Sequence, residues 1–153
     1  MTRDDPAAKR LSVTLPGTWR LQSRIDMTAA GERRSEPSLG DDPLGLLIYD
    51  RGGNFAAQFM RLDRSVVVPD GPSQAKNNSR AQGGYDAYFG TYTIDDEKRT
   101  VTQHLRGALS RENVGAVLTR AMDVQGDTLV IRIDTTAADG EPVTRTLTWQ
   151  RVG

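Results

Sequence analysis

The residue in this sequence best suited to moving protons is its only histidine, His104. An imidazole changes charge near neutral pH, so on an inward face His104 could act as acid or base on a bound substrate. Tyr92 could stabilise an enolate with its hydroxyl, and Arg120 could clamp an anion. These three residues are the candidate catalytic set. The structural alternatives are a solvent-facing histidine, a core tyrosine and an arginine paired with an acid across a sheet.

A second group of residues could contact a bound molecule without reacting with it. Tyr88 lies four residues before Tyr92, so both point to the same side of a strand as Gly90, where a ligand or a neighbouring side chain could fit. Arg61 shares a strand face with Phe59, and is either an inward cation waiting for a carboxylate or a strand-end residue reaching water. The candidate ligand contacts are Tyr49, Gln58, Phe59, Arg61, Tyr88 and Met122.

Several chemistries find no support in the composition. The chain has no cysteine and one histidine, which excludes thiolate nucleophiles and sulfur zinc sites. No serine has a histidine at the spacing of a known hydrolase motif, and the glycines at 52 and 53 precede no helix that could bind phosphate. We therefore expect no metal and no cofactor.

The elements that position these residues are predicted to be strands. Apolar and polar residues alternate from Gly17, where Trp19, Leu21 and Ile25 share one face and Arg24 and Asp26 the water-facing one. Three hairpins follow, and a final strand closes the chain. The predicted strands cover residues 17–26, 44–50, 54–61, 88–94, 99–106, 117–124, 127–135 and 143–151.

Eight strands joined mostly by short turns predict an all-β fold, an antiparallel up-and-down barrel, because closure removes the exposed sheet edges. A β-sandwich with a solid core is the structural alternative. Residues 27–43 are expected to be a loop. Residues 62–87 are expected to form a long, functional loop with one short helix between residues 73 and 82.

Length and charge limit the partners. The chain of 153 residues fits one domain, predicted at 16–153 after a flexible arm of residues 1–15. Twenty basic residues balance twenty acidic ones, so we expect no nucleic-acid or membrane partner. The first residues carry acids and no apolar leader, and no segment is long and apolar enough to span a membrane, so we expect a cytoplasmic protein.

Six ordered segments give the chain its resemblance to a known family. They include the opening GTWRL at 17–21, PLGLLIYD at 43–50, YDAYFGTY at 85–92 and the closing LTWQR at 147–151. Residues 101–104, and residues 113–115 together with Arg120, supply the other two. The chain resembles the bacterial lipocalin-like domain, one of the calycin-like β-barrels, over residues 16–152. The resemblance implies that Trp19 plugs one end of the barrel with Arg151 laid over it.

Three functions fit such a barrel. The first is binding of a small, largely apolar molecule in an internal cavity. The second is a cofactor-free isomerase, cyclase or lyase acting on a small hydrophobic substrate of the natural-product kind, which requires His104, Tyr92 and Arg120 to converge at one point. The third is an interaction module with a filled barrel. A homodimer is a further possibility that the sequence leaves undecided, because outward-facing apolar residues cannot be assigned without the strand register.

Overall fold

The computed structural model describes residues 9–72, 77–137 and 139–153. Strands make up most of the described chain. In chain order the elements are α1 Leu11–Thr14, β1 Gly17–Met27, β2 Arg33–Arg34, β3 Leu44–Tyr49, β4 Asn54–Met60, β5 Tyr85–Asp95, β6 Thr100–Ala108, a 3-10 turn Arg111–Asn113, β7 Val117–Gln125, β8 Thr128–Thr136 and β9 Pro142–Arg151. Among the described residues there is no helix long and apolar enough to cross a membrane.

Eight of the strands form the closed antiparallel up-and-down barrel that the sequence predicts. β1 pairs with β3, each later strand pairs with its successor, and β9 returns to pair with β1. The short strand β2 pairs with the far end of β1, beyond the β1–β3 ladder. The largest difference from the predicted strands is in β5, which begins at Tyr85 rather than at residue 88. Closure gives one core of inward side chains.

A bulge in β1 decides which of its side chains enter the barrel. The register between β1 and β9 shifts between Leu21 and Ser23, and an extra residue reverses the alternation of faces beyond it. Leu21 is buried as expected, but beyond the bulge Arg24 and Asp26 are the buried residues. The expectation that these two charges face water is wrong, because the bulge turns both inward.

The N-terminal segment closes one end of the barrel. Trp19 is fully buried, its Nε1 donates to the Leu15 carbonyl at 3.0 Å, and the Arg151 guanidinium lies 4.2 Å from its ring centre. The implied arrangement of Trp19 and Arg151 is thereby confirmed. Leu11 and Leu15 are also buried. The end of the predicted flexible arm is thus packed on the barrel, whereas residues 1–8 lie outside the described residues.

The connection between β4 and β5 covers the other end of the barrel. Residues 62–72 and 77–84 contain no helix, and residues 73–76 lie outside the described residues. The wall is split there, because β7 pairs with β8 only from Ala121 onward. Asn77 enters the split: its side-chain amide donates to the Thr119 carbonyl at 2.8 Å and accepts from the Thr119 N–H at 2.9 Å. One side-chain amide therefore substitutes for a neighbouring strand.

Candidate ligand site in the barrel interior

The three candidate catalytic residues do not converge. His104 alternates with the buried Val101, Gln103 and Leu105 of β6, so its half-exposed side chain lies on the outer wall. Tyr92 points inward and its hydroxyl donates to the Asp50 carbonyl at 2.5 Å, near the closed end. Arg120 is 2% exposed and lies inside. The outward position of His104 could have been predicted from the sequence, since Val101 and Leu105 form the apolar face of β6 and His104 lies on the opposite face.

The candidate ligand contacts divide between the interior and the outside. Tyr49, Phe59, Tyr88 and Met122 are buried inward-facing residues. Gln58 is exposed on the outer face of β4, where it accepts from the Tyr85 hydroxyl at 3.0 Å. Arg61 follows β4 and donates to the backbone carbonyls of residues 37 and 63, both at 2.9 Å. It is therefore a strand-end residue that ties loops together.

The space beside Gly90 is occupied by backbone. A Cβ at this position would lie 1.9 Å from the His104 carbonyl oxygen and 2.9 Å from the Arg106 nitrogen. The register of β5 against β6 shifts between Phe89 and Gly90, which brings the two backbones together. The glycine between the two tyrosines thus serves close strand contact and leaves no room for a ligand.

Charged side chains that sequence reasoning missed line the covered end of the barrel. The Arg145 guanidinium binds both carboxylate oxygens of Asp26, at 2.7 and 2.9 Å, and both side chains are almost fully buried. Arg24 pairs with Glu36 at 3.3 Å. Burial, opposed in part by these carboxylates, lowers the pKa of Arg24 to about 10. The inward position of Arg145 could have been predicted from the sequence, since Arg145 shares a face of β9 with the apolar Leu147 and Trp149.

Glu36 comes from the connection between β1 and β3. It accepts hydrogen bonds from the backbone N–H and the hydroxyl of Ser38. The cation of Arg24 and these bonds hold the pKa of Glu36 below its ordinary value, although burial acts most strongly in the opposite direction. The interior ion pair therefore keeps both of its charges at neutral pH.

Arg120 lies at the split in the wall without a carboxylate partner among the described residues. Its Nη1 donates to the Asn77 carbonyl at 2.6 Å and more weakly to the Thr119 carbonyl at 3.4 Å, while its buried Nη2 has no hydrogen-bond partner. Burial lowers the pKa of Arg120 and raises that of the adjacent Tyr88 hydroxyl. Tyr49 accepts from the Gln103 amide at 2.6 Å, and burial raises its pKa as well.

Asp86 faces the same interior from β5. Its Oδ2 accepts from the Ser79 hydroxyl at 2.5 Å, but its buried Oδ1 has no partner. Burial raises the pKa of Asp86 to about 6, and the hydrogen bond from Ser79 opposes this. A buried polar atom without a partner costs about 1–3 kcal/mol, so Asp86 and Arg120 are both poised to bond an incoming group.

A cavity of about 40 Å³ lies at the covered end of the barrel, bordered by Asp86 and Tyr88 but not by Arg120. One water needs about 10–15 Å³ of such space, whereas pockets for drug-sized ligands measure roughly 300–1,000 Å³. The cavity joins the apolar wall to the charged cluster. It is lined by the apolar Leu39, Phe59, Ile133 and Leu147, by the ionisable Arg24, Glu36, Asp86, Tyr88 and Arg145, and by residues of the covering loop, including Asn78, Ser79 and Ala81.

A larger concavity of about 1,560 Å³ lies outside the barrel at its closed end. It is open to solvent and is lined mainly by exposed or partly exposed residues such as Lys98 and Arg132, although the buried Tyr49 and Met122 also border it. Lys9, next to the undescribed residues 1–8, lies at its edge. The unpartnered buried polar atoms lie instead in the barrel interior, which is therefore the candidate site. Within the described residues, no group of three histidine or carboxylate side chains is placed to hold a metal ion.

Comparison with known proteins identifies one family. The model of a family described as a lipocalin-like domain matches residues 16–152, which is nearly the whole chain. No curated protein matches the sequence.

Proposed function

Because this chain belongs to the lipocalin-like domain family, we propose that it binds a small, largely apolar molecule inside its barrel. The observation that carries the proposal is the set of buried polar atoms without partners, Asp86 Oδ1 and Arg120 Nη2 among them. Ligand sites combine apolar walls with a few placed polar groups, and this interior has both.

The apolar wall of the proposed site is aromatic and aliphatic. Phe59 packs against Tyr88 and Trp149 with ring centres 6.4 and 5.7 Å apart, and Ile133 and Leu147 complete the wall of the cavity. A ligand lying here exchanges water for these side chains, which stabilises it by roughly 25 cal/mol per Å² of apolar surface buried.

Binding requires the cavity to enlarge. Its present volume of about 40 Å³ holds only water-sized molecules. The covering side is made by residues 77–81, which the barrel holds mainly through polar contacts: Asn77 to Thr119, Ser79 to Asp86, and the Arg80 N–H to Asn113 Oδ1 at 2.8 Å. A ligand that bonds Asp86 and Arg120 replaces such contacts, whereas one entering through the strand ladders must break the wall.

The test uses Trp149 as the reporter, since its ring contacts the cavity residue Phe59. Trp19→Phe removes the other tryptophan, which lies at the closed end. Titration of this variant with a panel of apolar alcohols, ketones and acids should give a saturable change in fluorescence and a rise in Tm. Product analysis on each mixture tests the cofactor-free enzyme alternative, which turnover would support.

A matched pair of variants locates the binding. Ile133→Phe fills the cavity and should abolish the fluorescence change, whereas Val130→Phe introduces the same side chain on the outer face of β8 and should not. Circular dichroism checks that both variants are folded. Equal binding by both would place the ligand on the surface, and no binding by any panel member would leave the filled barrel as the function.

A further inference from the structure

Arg120 is the one buried arginine that the described residues leave without a carboxylate. Arg24 and Arg145 each form an ion pair inside the barrel, at 3.3 and 2.7 Å. Arg120, equally buried, donates to backbone carbonyls and lies beside the Tyr88 hydroxyl, and its Nη2 makes no hydrogen bond within the standard geometric limits. Desolvating a guanidinium costs several kcal/mol unless an opposite charge compensates it. An anionic ligand would supply that charge.

We propose that the interior site takes a small apolar monocarboxylate, whose carboxylate pairs with Arg120 in the place now held by the Asn77 carbonyl. This inference rests on the proposed function, because it names the class of ligand for the same site.

The pairing of charges in the interior leaves Arg120 without a direct ion pair. Among the described residues three buried guanidinium groups face inward, and Asp26 and Glu36 pair with two of them. Asp86, whose pKa burial raises to about 6, is mostly ionised at pH 7, but its hydrogen bond comes from Ser79 and not from Arg120. A monocarboxylate would give Arg120 a carboxylate at contact distance. An amine would place a second cation beside Arg120, and an alcohol would leave Arg120 without an ion pair.

The position of Tyr88 connects Arg120 to the cavity. The Tyr88 hydroxyl interacts with both Arg120 and Ser79, and its ring lines the cavity together with Phe59. A carboxylate at Arg120 therefore has its apolar body directed along Tyr88 towards Phe59 and Leu147. This arrangement matches a ligand with one charged end and one apolar end.

Asn77 occupies the place of the ligand's acceptor. Its backbone carbonyl is the shortest hydrogen-bond partner of Arg120, at 2.6 Å, and its side chain is anchored to Thr119 by two hydrogen bonds. A carboxylate adds an ionic attraction to guanidinium that a neutral carbonyl lacks, and it can accept from two guanidinium N–H groups at once. Exchange of the Asn77 carbonyl for a carboxylate is thus favourable if the two hydrogen bonds between the Asn77 side chain and Thr119 break.

The experiment compares three probes of equal chain length, octanoate, octan-1-ol and octylamine, by calorimetry on the full chain at pH 7. Octanoate should bind about tenfold to a hundredfold more tightly than octan-1-ol, and octylamine most weakly. Equal binding of octanoate and octan-1-ol would overturn the carboxylate class while the proposed function stands. If none of the three binds and the wider panel also fails, both proposals fall.

Variants assign the preference to Arg120. Arg120→Gln should abolish the preference for octanoate over octan-1-ol, whereas Arg132→Gln, on the exposed face of β8, should keep that preference. A preference that survives Arg120→Gln would refute the assignment. Asn77→Gly removes the anchor at a residue with φ +51, where glycine adds no strain. This variant keeps Arg120 and should raise octanoate affinity severalfold; unchanged or weaker affinity would count against displacement of Asn77.

Discussion

The buried ion pair between Asp26 and Arg145 offers the sharpest test of the interior as described. Both guanidinium contacts are short, 2.7 and 2.9 Å, and the two side chains are 3% and 5% exposed. Asp26→Asn removes the negative charge and leaves Arg145 buried beside Arg24, which it already repels. Removing one partner of a buried pair costs about 3–5 kcal/mol.

Urea denaturation monitored by far-UV circular dichroism measures this loss in the free energy of unfolding. With a slope of about 2 kcal/mol per molar urea, this loss lowers the midpoint by roughly 1.5–2.5 M. The matched control is Glu141→Gln, which breaks the pair with Arg34 at the same length of 2.9 Å but with side chains 35% and 37% exposed. Its midpoint should stay within experimental error, because water screens exposed pairs.

A double variant separates charge from shape. Asp26→Leu with Arg145→Met replaces the pair by apolar side chains of similar size, and such replacements in protein interiors are often neutral or stabilising. The double variant should recover most of the stability lost in Asp26→Asn. The reasoning is refuted if Asp26→Asn behaves like the exposed control, or if the double variant is less stable than the single one.

Three further predictions concern the arm, a carboxyl group and a strand contact. Leu15→Ala, at a fully buried position, should lower the free energy of unfolding by about 2–5 kcal/mol, whereas Val13→Ala at an exposed one should not; similar values would show that the arm is loose. Asp86 has its pKa raised from 3.8 to about 6, so its stabilising contribution is complete below pH 3.8 and is lost as pH rises through 6. The wild type minus Asp86→Asn difference in unfolding free energy should thus fall between pH 4 and 7, by up to about 3 kcal/mol, and a flat difference would contradict it. Gly90→Ala should unfold the barrel or lower its Tm sharply, because the new Cβ meets backbone at 1.9 Å, whereas Gly52→Ala, with its nearest atom at 3.4 Å, should leave Tm unchanged.

Local patterns were enough to predict the strands and their hairpins. Alternation of apolar and polar residues and the turn sequences at residues 50–53 and 125–126 depend on neighbours along the chain, and the barrel follows from eight such strands. The same alternation also indicates the outward orientation of His104, because Val101 and Leu105 form the inward face of β6.

The charged interior depended on tertiary structure. A single extra residue in β1 reverses the face of Arg24 and Asp26, and its position becomes apparent only when β9 pairs alongside. The partners of these charges come from distant segments: Arg145 lies 119 residues after Asp26, and Asn77 reaches Arg120 across 43 residues. The sequence by itself determined the eight strands, the turns and the closed barrel, because those depend on side-chain periodicity. Only the tertiary structure decided which polar groups face inward and which lack a partner, because both depend on strand register and on contacts between segments far apart in the chain.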